Sequence, residues 1–242
     1  MNDLLLVLAI AFVAAFLTYL GAPVAERFEA PYRVVSAALQ FAAGIITALV
    51  AFSLMPPAVQ SGPLAFVLLA FFAGGAIFVF VEYFTAQSQF SNDSTVGNQG
   101  SLGFYIGVLL DLVVDGMVIG LGATLTLQTG LLLALGMASS TAPLAFVTIA
   151  TARRQGMPAE RRRVLSFSFF ICIIAGALIG YGLLGNLSEP FRLTLIALAS
   201  GFLITMVTQS MIPEANREGE PSFAGIFFVG GLSLYAFLTL VV

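Results

Sequence analysis

The chain is a succession of apolar runs about twenty residues long, parted only by short breaks of Gly, Pro and charge. At about 1.5 Å rise per residue, such a run as a helix matches the ~30 Å hydrocarbon core of a bilayer. Inside lipid only helices and closed barrels satisfy their own backbone hydrogen bonds, and runs this long and unbroken read as helices. The breaks define eight predicted spans, near residues 3–23, 33–55, 63–86, 102–127, 130–152, 163–185, 191–213 and 222–241. The expected fold class is all-α: a polytopic membrane protein with eight transmembrane helices. Composition decides against a soluble domain, because 9% of residues are charged where average usage is about 25%. The first residues, Met1-Asn2-Asp3, carry no basic segment. The first run is therefore expected to be a spanning helix and not a cleaved signal.

Arginine sets the expected orientation. All nine basic residues are arginine, and there is no histidine, lysine or tryptophan. Arg27, Arg33, Arg153, Arg154, Arg161, Arg162, Arg163 and Arg217 fall in loops on one side, and only Arg192 falls on the other. Positive charge marks the cytoplasmic side. Both termini are then extracytoplasmic, and the membrane is a plasma or inner membrane. The Arg153–Arg163 cluster reads as part of this topology signal, with a lipid-headgroup site as the alternative. The net charge of −3 argues against nucleic acid as a partner; the lipid bilayer is the partner expected. Cys172 lies alone in an apolar run, where cysteine behaves as a small hydrophobe.

Two stretches resemble each other. Residues 43–58 read AGIITALVAFSLMPPA and residues 200–215 read SGFLITMVTQSMIPEA. Without a gap, Gly44 meets Gly201, Val50 meets Val207, Ser53 meets Ser210, Pro56 meets Pro213 and Ala58 meets Ala215. The two predicted helices run in opposite directions, so the repeat is inverted, a construction recurrent among secondary transporters. It divides the single transmembrane domain 1–242 into 1–86, a central hairpin 102–152, and 163–242, a 3+2+3 arrangement.

That hairpin carries the polar groups. Asp111 and Asp115 sit inside a spanning run, i and i+4, on one helix face. An ionisable side chain at bilayer depth costs about 2.5–3.5 kcal/mol on insertion scales and marks a functional site. A turn expected around Gln128-Thr129-Gly130 places the aspartates at the depth of Ser139, Ser140, Thr141 and Pro143. Pro143 lacks an N–H and frees a carbonyl one turn earlier. Carboxylates, hydroxyls and freed carbonyls are oxygen donors for a hard cation. Asp111, Asp115, Ser140 and Thr141 are thus the expected metal ligands. The plainer alternatives are hydroxyls bonded to their own backbone and aspartates held in an interhelical hydrogen bond with one carboxyl protonated. Ser139, Gln209, Ser210, Glu214 and Met55 are further candidates along a pathway, against readings of Glu214 as an interfacial carboxylate and Met55 as packing. Glu82, near the inner end of helix 3, is ambiguous in the same way.

The chain resembles the ZIP family of divalent metal transporters over nearly its whole length. The resemblance rests on Gly21-Ala22-Pro23, Ala43-Gly44 with Pro56, and Asp115-Gly116 with Gly120. Pro143, the run Gly176-Ala177-Leu178-Ile179-Gly180 and Ile212-Pro213-Glu214-Ala215 complete it. It implies eight helices as 3+2+3, termini outside, a homodimer, and passage of zinc, iron, manganese or cadmium between helices 4 and 5. At the site the sequence departs from the family. Where helix 4 of the family reads His-Asn-x-x-Asp-Gly, this chain has Asp111-Leu112-Val113-Val114-Asp115-Gly116. Where helix 5 reads His-Glu-x-Pro-Glu, it has Ser140-Thr141-Ala142-Pro143-Leu144. Ile173 stands where the family often has a glutamate in helix 6. Zinc favours His and Cys, so the ligands here favour Mn²⁺, Mg²⁺ or Ca²⁺, whereas the resemblance favours zinc or iron.

The leading expectation is a divalent-cation transporter, with the ion as cargo, no resident cofactor and no enzymatic activity. Relative movement of two helix sets would expose the site to each side in turn. The alternative is a ZIP-fold relative that moves no transition metal and serves another ion, a small molecule or a structural role. An intramembrane aspartyl protease is disfavoured, because a proton-sharing dyad needs carboxyls about 3 Å apart and both aspartates lie on one helix.

Overall fold

The structure, a computed structural model, describes residues 2–27, 31–90, 100–124, 126–184, 186–216 and 223–241. Among them the regular secondary structure is all helix: α1 (Asn2–Arg27), α2 (Tyr32–Ser61), α3 (Leu64–Phe90), α4 (Gly100–Ala123), α5 (Leu127–Arg154), α6 (Ala159–Ile179, carried on by a π turn Gly180–Leu184), α7 (Glu189–Ala215) and α8 (Ala224–Val241). Six of them, α1, α2, α3, α5, α6 and α7, contain stretches long and apolar enough to cross a membrane, and α8 holds a shorter apolar stretch, Gly225–Leu240. This is the construction of a polytopic integral membrane protein. Arg217, and residues 91–99 between the third and fourth predicted spans, lie outside the described residues.

Several boundaries differ from the sequence expectation, each for a local reason. α1 runs through Pro23 to Arg27. α2 continues past Pro56 and Pro57 to Ser61, where an end at 55 was expected. A π turn, Val50–Leu54, precedes the prolines, with the Met55 N–H bonded to the Val50 carbonyl. The prolines then occupy the first turn of the helix that follows, where a missing donor costs little. α7 repeats the device, with a π turn at Val207–Met211 before Pro213. α4 ends at Ala123 and α5 begins at Leu127, earlier than expected, because Thr126 caps α5 by accepting the Thr129 N–H at 3.0 Å. At the other end of α5, Gly156 takes φ 76°, the left-handed position at which helices commonly stop.

Packing is organised by close backbone approach. α1 lies along α5 and α6, α4 along α6 and α5, α2 along α8 and α5, and α3 along α7. At each tight crossing a glycine leaves no room for a side chain. A Cβ on Gly116 would strike the Ile173 carbonyl of α6, and one on Gly176 the Val113 carbonyl of α4. The α3–α7 and α2–α8 crossings are numerical copies of each other. Gly44 abuts the Phe228 carbonyl and the Leu232 amide, while Gly201 abuts the Phe71 carbonyl and the Gly75 amide. Gly74 abuts the Leu198 carbonyl and the Phe202 amide, while Gly231 abuts the Phe41 carbonyl and the Ile45 amide. One constant difference in residue number, 157 (201 minus 44), converts every member of the first contact in each pair into its counterpart or the reverse. The π turns Val50–Leu54 and Val207–Met211 obey the same difference.

Candidate cation site

The site is built on the α4–α5 hairpin, and the turn sets its register. Next to the turn, Gly130 packs on Ala123, and Gly122 packs on Leu133 and Thr129. Antiparallel helices keep such a register along their length, so Asp115 lies level with about Ser139 and Asp111 with about Pro143. Helical period supplies the facing. Asp111, Asp115, Val118 and Gly122 follow at i, i+4, i+7 and i+11, a single stripe whose last member already touches α5. On α5, Gly130, Leu133, Met137, Ser140, Thr141 and Leu144 form the answering stripe. Helical period therefore carries both carboxylates on the stripe of α4 that meets α5 at Gly122, and Ser140 and Thr141 on the stripe of α5 that includes Gly130 and Leu133.

All four residues are buried: Asp111 is 5% exposed, Asp115 3%, Ser140 1% and Thr141 2%. Asp111 Oδ1 is buried without a hydrogen-bond partner. A buried, unpaired carboxylate oxygen costs more than a neutral polar atom does, and it stands one turn from a second buried carboxylate. The hydroxyls hold themselves against their own helix. Ser140 Oγ donates to the Met137 carbonyl at 2.9 Å, and Thr141 Oγ1 to the same carbonyl at 2.8 Å. Such bonds use the proton and leave oxygen lone pairs available. Pro143 lies inside α5, so the Ser139 carbonyl lacks its usual helical donor.

The other predicted site residues are placed elsewhere. Ser139 falls on the side of α5 away from α4, half-buried, and donates to the Leu135 carbonyl at 2.7 Å. Gln209 is exposed and Ser210 half-buried; both sit in the π turn of α7, which packs on α2. Glu214 is half-buried at the end of α7, where its backbone carbonyl accepts the Tyr32 hydroxyl at 2.8 Å. Met55 is half-buried against the core. Among the described residues no group of three or more His, Cys, Asp or Glu side chains comes together.

One residue that the sequence reading missed joins the hairpin. Thr18 of α1 is fully buried, and its Oγ1 lies 2.6 Å from Thr141 Oγ1. A lone threonine in an apolar run carries no signal of its own, because it ordinarily bonds back to its helix. Thr18 also does this, toward the Ala14 carbonyl at 2.9 Å. The neighbouring signal was Gly21, one turn on, which lets α1 close on the Ala142 carbonyl.

Compared with family models and with curated proteins, the chain matches none.

Proposed function

We propose that this chain moves a divalent cation across the membrane through the α4–α5 hairpin. Asp111 and Asp115 are its charged ligands, and Ser140 and Thr141 contribute neutral oxygens. The observation that carries the reading is the Asp111 carboxylate, buried with an unpartnered oxygen one helical turn from a second buried carboxylate. Neighbouring anionic oxygens at bilayer depth are compensated by a cation. An all-oxygen donor set favours a hard ion, Mn²⁺, Mg²⁺ or Ca²⁺.

The same reading takes all eight helices as spanning, in a 3+2+3 inverted repeat of 1–86 and 163–242 around the 102–152 hairpin. The constant numbering difference that relates the α2–α8 and α3–α7 contacts supports it, as does the order of elements shared with ZIP transporters. The carboxylates then lie at the repeat interface, where inverted-repeat transporters bind their cargo. Movement of one helix set against the other exposes the site to each side. The arginine bias puts both termini outside a plasma or inner membrane, and the resemblance adds a homodimer.

The test is Mn²⁺ flux into proteoliposomes. Wild-type protein carries Mn²⁺ and Asp115→Ala does not; equal flux in the two defeats the assignment. A second reading, a relative of the same fold that moves no transition metal, is favoured by the absence of a third His, Cys, Asp or Glu beside the pair among the described residues. Calorimetry with no heat of binding for Mn²⁺, Zn²⁺ or Ca²⁺ would select it.

A further inference from the structure

We propose that Thr18 of α1 is a positioning residue of this site, turning the Thr141 oxygen toward the cation by taking up its proton. The inference rests on the cation reading above. It begins from a count of protons. Thr18 and Thr141 together own two hydroxyl protons, yet three short contacts need one each: Thr18 to the Ala14 carbonyl, Thr141 to the Met137 carbonyl, and Thr18 to Thr141. One of the three is a contact without a proton in any single arrangement.

The Met137 carbonyl shows which bond yields. It receives Ser140 Oγ at 2.9 Å and Thr141 Oγ1 at 2.8 Å, and as a helix carbonyl it also serves the Thr141 amide. Three donors face two lone pairs. The Ala14 carbonyl has one hydroxyl donor, Thr18. The arrangement with least competition sends the Thr141 proton to Thr18 Oγ1, the Thr18 proton to Ala14, and leaves Met137 to Ser140. The Ser140 and Thr141 protons are then taken up by Met137 and Thr18, and the Thr141 lone pair that is not turned toward the Met137 carbonyl is free to accept a cation. The contact is fixed from outside the hairpin. α1 is pressed onto α5 at the next turn, where Gly21 abuts the Ala142 carbonyl, and both threonines are buried from competing solvent.

Without the Thr18 hydroxyl, Ser140 and Thr141 compete for one carbonyl, and a proton turns toward the site, where it opposes the ion. Thr18→Val keeps the shape and removes the acceptor; Thr18→Ser keeps the acceptor. In Mn²⁺ flux assays Thr18→Val is expected to raise the apparent KM about tenfold, the scale of one hydrogen bond to a charged site, with Vmax held within about twofold. Thr18→Ser is expected to return KM to within about twofold of wild type. A bundle merely loosened by the substitution would instead lose Vmax and unfold at lower temperature, with Ser no better than Val. An unchanged KM in Thr18→Val, or a Thr18→Ser variant as impaired as the valine, overturns the inference while loss of flux in Asp115→Ala leaves the cation reading standing. Absence of Mn²⁺ flux in wild-type protein overturns both.

Discussion

Asp111 is a carboxylic side chain with an oxygen that is buried and has no hydrogen-bond partner within the protein. Stability alone disfavours such a group, since exchanging a buried unsatisfied polar side chain for an apolar one of similar size is neutral or stabilising. Asp111→Leu should therefore leave the thermal unfolding midpoint in detergent unchanged or higher, while Mn²⁺ flux is lost. A marked fall in the midpoint would show that the carboxylate serves the fold instead. The hydroxyls divide by the side of α5 that carries them. Ser140→Ala is expected to raise the KM for Mn²⁺ severalfold, and Ser139→Ala to leave it unchanged, because Ser139 faces away from α4. Equal effects in flux assays would show that hairpin facing does not govern the site. The identity of Asp111, Asp115, Ser140 and Thr141 as candidates was legible in the sequence, because charge inside an apolar run needs no tertiary context to be noticed. Thr18 was not, because a threonine one turn from Ala14 in an apolar helix is unremarkable until α1 is laid against α5.

At the scale of the elements, the fold depends on glycines that let backbones touch. Gly116→Val should drive α4 off the Ile173 carbonyl of α6 and destabilise the protein by about 1–3 kcal/mol or more. Gly107 lies on the same helix with open space beside it, and Gly107→Ala should be neutral in the same unfolding measurement. A comparable loss at both positions would mean that the cost is helical and not one of close approach. The arginine cluster also acquires a structural role. Arg162 forks onto Glu26 through Nε at 2.6 Å and Nη2 at 2.8 Å, and Arg153 donates to the Glu26 backbone carbonyl at 3.1 Å. These residues, predicted only as a topology signal with a headgroup alternative, tie the end of α1 to α5 and α6. Glu26 is about a third exposed, so Glu26→Ala is expected to cost at most about 1 kcal/mol. The helices themselves were read nearly in place from apolar length. Their ends were not, because prolines 56, 57 and 213 are accommodated by π turns, a hydrogen-bonding shift that leaves no mark in hydropathy.

For the whole molecule, the proposed topology has its own test. In a Cys172→Ser background, Glu160→Cys on the arginine-rich side should react with an impermeant maleimide only from the cytoplasm, and Leu127→Cys, at the α4–α5 turn, only from outside. The reverse pattern would invert the orientation and the direction of transport with it. By itself the sequence determined that the chain is a helical membrane protein, that two carboxylates stand four residues apart within one apolar run, and that residues 43–58 and 200–215 share a pattern. Those properties are local, written in the length and spacing of side chains along single helices. The tertiary structure alone decided that α1 supplies a hydroxyl to Thr141, that Ser140 is buried while Ser139 is half-buried, and that the two similar stretches are packed by matching contacts. Those facts depend on which helix stands beside which, and in lipid that choice is made by close backbone packing and hydrogen bonds between helices, which hydropathy along one chain does not encode.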